Sequence, residues 1–195
     1  SQAELQQAGA EAQKAAATVV DDLTKKLSAS IQAKTDTVLN ELSKELTAKA
    51  QSLSQSLGSQ EGVKSTVQSA LQSLSENKDI QSLEFYQKLA QAKLTPEQTK
   101  LAGEVRNVLS AFTVQKNFAS LANSQGEVGK IVTALRSADT TTALTQLKQL
   151  SSNASLSAGQ KDLINALVGQ YAGGLQEAGK AVQDKQRAAQ TELGQ

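Results

Sequence analysis

From Val20 onward the larger apolar residues fall at Leu23, Leu27, Ile31, Val38, Leu42, Leu46, Leu53 and Leu57. Steps of three, four and seven keep them on one side of a helix, because side chains at those separations stack along a 3.6-residue turn. The pattern predicts one long amphipathic helix over residues 1–57. Val20, Ile31, Leu42 and Leu53 also recur every eleven residues, a period that favours a nearly straight helix over a strict heptad coiled coil, which stays the alternative. Upstream, Ala8, Ala10, Ala12 and Ala15 to Ala17 favour helix yet remove little apolar area from water, so this start depends on neighbours. Gly58, just past the last periodic leucine, reads as a helix stop, and Ser59 as the opening of a new capping pattern.

The remainder carries a degenerate internal duplication. SQEGVKSTVQSAL from Ser59 is echoed by SQGEVGKIVTAL from Ser124, and LTPEQTKL from Leu94 by LSAGQKDL from Leu156. In the first copy Val63, Val67, Ala70, Leu71 and Leu74 share one helical face, matched by Val128, Ile131, Val132 and Leu135 in the second. A second short helix follows in each, on Leu83, Tyr86, Leu89 and Ala90 and then on Leu144, Leu147 and Leu150. The third begins at Thr95-Pro96-Glu97-Gln98, where threonine can cap, proline suits the first turn and glutamine can close a capping box. Ser157 and Gln160 repeat that spacing. Leu101, Val105, Val108, Leu109 and Phe112 then continue one side, as do Leu163, Ile164, Leu167, Val168, Tyr171 and Leu175 in the second copy.

These elements predict an all-α protein, with the long N-terminal helix packed against two helical repeat units, 59–122 and 124–182. A polar stretch, 183–195, ends the chain as a tail or helix end. Three short helices bury their faces only by packing on one another, on the sister unit or on the long helix. The arrangement is a bundle or a short repeat array. Gly169, Gly173, Gly174 and Gly179 read as close helix packing, with a bend near Gly173-Gly174 as the alternative, since each would otherwise cost a helix about 1 kcal/mol relative to alanine.

Composition removes whole classes of chemistry. The 195 residues include no Cys, His, Met or Trp, which leaves no disulfide, thiolate, imidazole base, soft-ligand zinc site or usual haem axial ligand. Lysine plus arginine exceeds aspartate plus glutamate by 20 to 19 and the basic residues are scattered, so no nucleic-acid partner is expected. No apolar run is long enough to span a bilayer. The opening SQAELQQ, without Met, fits a mature exported chain, and a secreted or periplasmic location is the expectation.

The few candidate sites each have an ordinary structural explanation. Glu41 and Glu45 lie one turn apart, with Lys44 and Lys49 beside them as compensation. Glu97 and Glu104 lack the histidine of a helical di-metal site. Ser75 and Lys78 have an SxxK spacing seen in acyl-transfer enzymes, but without a base and at a polar helix end. Val128-Gly129-Lys130 lacks the strand-loop-helix context of a phosphate loop, while helix starts near Ser59, Ser124 or Ser157 offer at most incidental anion contacts. Phe112, Phe118 and Tyr171 are expected to form a small apolar cluster joining the two copies. Asn153-Ala154-Ser155 is a glycosylation sequon in a polar connection.

No catalytic, metal or cofactor residue is therefore assigned, and no cofactor is expected. The preferred reading is a non-enzymatic secreted or envelope-associated scaffold whose partner is a protein or an envelope surface. Reversible lipid association through residues 20–57, bordered by Lys25, Lys26, Lys34, Lys44 and Lys49, is the first alternative. An enzyme of unidentified class is the second.

Overall fold

An aspartate interrupts the first predicted helix. The computed structural model describes residues 22, 25, 36–89, 91–121 and 123–172. Asp36 has extended backbone (φ −105°, ψ 106°), and its Oδ1 accepts from the Leu39 N–H at 3.1 Å. Helix α1 thus runs Thr37–Leu57. The single helix expected over 1–57 has an internal start, because the Asp36 carboxylate satisfies one of the orphan donors of a new N-terminus. The seven-residue step from Ile31 to Val38 masked this break by keeping the period across it. Val38 is 36% exposed, and Leu39 takes the buried position instead. The stripe from Val20 to Ile31 and the alanines before it lie outside the described residues.

The other helices are α2 (Glu61–Ser75), α3 (Asp79–Leu83), α4 (Phe85–Leu89), α5 (Pro96–Phe118), α6 (Gln125–Arg136) and α7 (Thr140–Leu150). Helix α8 covers residues 158–172. The fold is all-α, and no strand occurs among the described residues. The second helix expected in the first unit is split at Glu84, whose N–H turns back to the Gln81 carbonyl.

Helix α5 is the centre of the molecule. Its sequence predicts one apolar side, yet every residue from Asn107 to Val114 is buried. A helix covered on all sides has neighbours all round. The visible signal is the absence of charge from Asn107 through Gln115. Helix α1 lies antiparallel along α5 through Leu39, Leu42, Leu46, Leu53 and Leu57, each buried and worth about 2 kcal/mol of transfer free energy. Three polar ties span this pair. Gln115 Nε2 donates to Asp36 Oδ2 at 2.9 Å, Lys49 pairs with Glu104 at 3.2 Å, and Gln98 Nε2 donates to the Ser56 carbonyl at 2.8 Å.

Both capping boxes form. Thr95 and Gln98 exchange bonds of 3.1 and 3.0 Å, and Ser157 and Gln160 exchange bonds of 3.1 and 2.9 Å. Each glutamine has a second task that spacing did not announce. As Gln98 reaches the end of α1, Gln160 Nε2 reaches the Asn117 carbonyl at the end of α5, at 2.8 Å. Ser124 immediately precedes α6 as expected, whereas Ser59 differs from expectation. Gln60 rather than Ser59 precedes α2, and neither Gln60 nor Ser124 makes a side-chain cap bond.

Helices α2 and α6 end alike. Lys78 N–H donates to Ser73 O and Asn77 N–H to Leu74 O; Asp139 N–H donates to Ala134 O and Ala138 N–H to Leu135 O. These are Schellman ends, with Asn77 (φ 61°) and Ala138 (φ 60°) in the left-handed region. With these ends superposed, buried Val67, Ala70, Leu71 and Leu74 correspond to buried Val128, Ile131, Val132 and Leu135. That register is one turn away from the one aligning Ser59-Gln60 with Ser124-Gln125. A slip of four residues nearly restores a helical face, which is why apolar periodicity did not distinguish the two. Val63 is half-buried, and Lys64 takes the buried position beside it, its Nζ 3.9 Å from Glu61.

Candidate functional site

The N-terminal parts of α3 and α8 face each other across the end of α5, enclosing a cleft of about 430 Å³. One wall is Asn77 to Gln81 and the other Ser157, Gly159 and Gln160, with Asn117 and Leu163 between. The sequence pattern assigns no site here, since the residues come from three separate stretches. The walls themselves follow from local rules. The Schellman end of α2 throws the chain sideways at Asn77 and starts α3 at Asp79, while the Ser157 capping box starts α8.

Asp79 anchors the first wall to α5. Its Oδ1 accepts from Lys116 Nζ at 3.0 Å and its Oδ2 from Asn117 Nδ2 at 2.9 Å, with Lys116 and Asp79 only 16% and 12% exposed. Asn117 Nδ2 also donates to the Thr113 carbonyl at 2.7 Å. Gln160 fastens the second wall to the Asn117 carbonyl. The polar groups at the base are engaged in holding the walls, the Asp79 carboxylate being bonded to both a lysine and an amide. The open feature is apolar. Ile80 is 38% exposed, above the buried Leu163.

A second polar centre lies along the other half of α8. Tyr171 Oη is 3.0 Å from both Asn107 Oδ1 and Ser110 Oγ. Its single proton goes to the amide oxygen, which only accepts, and the Ser110 hydroxyl donates back. The Arg106 guanidinium lies 4.3 Å from the Tyr86 ring centroid and 4.7 Å from that of Tyr171, and its Nε donates to Asn107 Oδ1 at 3.2 Å. Burial pushes the Tyr171 phenol above its ordinary range, against the opposing charge of Arg106. The expected aromatic residues do meet in the core. Phe112, Phe118 and Tyr171 are all buried in one core cluster, the described ring pair is Phe85–Tyr86, edge to face at 6.4 Å, and Arg106 lies between Tyr86 and Tyr171. Arginine between two tyrosines far apart in sequence leaves no local signature.

The remaining candidates are dispersed. Glu45 is held by Arg136 at 2.6 Å and Glu41 lies 3.9 Å from the same guanidinium, so their compensation comes from α6 rather than from Lys44 and Lys49. Glu104 pairs with Lys49, and Glu97 is exposed. Ser75 Oγ donates to the Gln72 carbonyl and Lys78 pairs with Glu76 at 3.2 Å, which separates the SxxK residues into a turn bond and a surface ion pair. Lys130 is exposed on α6. Asn153 turns its side chain inward, donating to Ser124 Oγ at 2.6 Å and accepting from the Ser155 N–H at 2.8 Å. No group of three metal-ligating side chains occurs among the described residues. A Cβ on Gly169 meets nothing within 4 Å, so close packing does not explain that glycine; Gly173, Gly174 and Gly179 lie outside the described residues. No described helix is long and apolar enough to cross a membrane.

The chain matches no known family model, no curated protein and no solved structure.

Proposed function

We propose that this all-α chain is a non-enzymatic interaction protein, secreted or envelope-associated, whose protein partner docks at the cleft between α3 and α8. The supporting observation is Ile80, exposed in a wall whose backbone is fixed by Asp79, Lys116 and Asn117. An apolar side chain on a rigid polar support gains free energy when covered and loses little conformational freedom, the arrangement of an interface anchor. The scaffold reading shifts in one respect. Leu42 and Leu53, on the apolar stripe of the first helix, are fully buried and serve the fold rather than recognition. The same burial weighs against lipid association through 20–57, because α5 covers the apolar stripe over Thr37–Leu57.

A photo-crosslinking residue at Gln81, in the cleft wall, tests the proposal against one at Lys100, an exposed position about 25 Å away along α5. The expected result is a discrete adduct from Gln81 only, lost in Ile80→Asp with helical content unchanged. Equal adducts from both positions, or an adduct indifferent to Ile80→Asp, would place the partner elsewhere.

A further inference from the structure

The buried apolar row of α8 repeats by about one turn. Leu163, Leu167 and Tyr171 recur at four-residue steps, so moving α8 by one turn, about 5.4 Å, presents a similar row to its neighbours. Hydrophobic burial is not directional and distinguishes such registers weakly. The polar contacts of α8 are directional and do not repeat. Gln160 reaches the Asn117 carbonyl, Gln170 Nε2 donates to the Leu83 carbonyl at 2.8 Å, and Tyr171 meets Asn107, Ser110 and Arg106. All are broken together by a displacement of one turn.

We propose that the Tyr171–Asn107–Ser110–Arg106 centre is a register lock, which holds α8 at one position along α5 and so fixes the width of the cleft formed by the opposite end of α8. Ser157, Gly159, Gln160 and Leu163 ride on that end. A rigid helix transmits any axial shift at Tyr171 to them in full, and one-turn steps of one element past another are an established form of switching. Tyr171 is in this sense a positioning residue. Its ring is stacked on Arg106 while its hydroxyl reads the α5 position. The inference does not depend on what the cleft binds.

The chain contains no cysteine, so Lys100→Cys on α5 and Lys161→Cys on α8 take spin labels cleanly at two exposed positions. The helices are antiparallel, with Gln160 beside Asn117, and the label vector has a large axial component, which makes the distance sensitive to sliding. With the lock intact, double electron–electron resonance should give one narrow distance. Adding Asn107→Leu, Ser110→Ala and Tyr171→Phe should produce a second population displaced by about 5 Å. One unchanged narrow distance in that variant, with helicity retained, overturns the proposal. If the triple variant loses its helical signal, Gln160→Leu with Tyr171→Phe carries the test. It removes the Gln160 and Tyr171 side-chain hydrogen bonds near the two ends of α8, and is judged by the same two outcomes.

Discussion

Ala138 stands in a conformation that its own side chain opposes. It occupies the left-handed position of the α6 Schellman end at φ 60° and is exposed, so its methyl has little packing to lose on replacement. The Cβ of an L-residue in that region costs about 1–2 kcal/mol. Glycine removes this strain but gives the unfolded chain more freedom, worth about 0.5–1 kcal/mol in the opposite sense. Ala138→Gly should therefore stabilise the protein by about 0.5–1 kcal/mol, a rise of about 1–4 °C in Tm for a chain of this size. Asn77 supplies the internal control. It has the same role at φ 61°, but asparagine tolerates the left-handed region, so Asn77→Gly should gain less than Ala138→Gly. Urea unfolding followed by circular dichroism, with a common slope, reads the difference. A loss of stability in Ala138→Gly, or a larger gain at Asn77, would refute the assignment of strain to this turn.

Gly103 and Gly169 lie in helices where an added methyl would meet nothing within 4 Å, so Gly103→Ala and Gly169→Ala should each add up to about 1 kcal/mol in thermal unfolding. Leu42→Asp and Leu53→Asp place a carboxylate where the leucines are fully buried, and each should cost about 4 kcal/mol or more; circular dichroism that retains the full cooperative transition would contradict their place in the core. The raised Tyr171 phenol gives stability that is fully present below its ordinary ionisation near pH 10 and is lost as pH rises through the higher folded value. Tyr171→Phe should accordingly flatten the alkaline limb of a stability-against-pH curve, and an identical limb in both proteins would remove Tyr171 as its source.

Helical class, the stop at Gly58, both capping boxes and most core leucines were legible because they depend on residues within one or two turns of each other. Thr95 and Gln98 meet wherever their segment sits, and four-residue spacing puts Leu42 and Leu46 on one face in any helical environment. Other features needed the third dimension. Apolar period carried the first helix through Asp36, although the carboxylate of that residue caps a new start there. The same period left the register between the segments beginning at Ser59 and Ser124 open by one turn. The cleft draws on Asp79, Asn117 and Gln160, and the Arg106 centre on Tyr86, Asn107 and Tyr171, residues whose proximity no local rule encodes.

By itself, then, the sequence determined that the chain is helical, where a few helices begin or end, at Gly58, Thr95 and Ser157, and which chemistries lack residues to perform them. The tertiary structure alone decided that α5 is enclosed, that the leucine stripe of α1 is spent within the fold, and that Ile80 stays open to solvent. The physical reason is that backbone capping and helical periodicity are short-range and nearly context-free. Which apolar face meets which is decided by a sum of weak, non-directional contacts, with a few directional polar bonds selecting among registers that burial leaves almost equal.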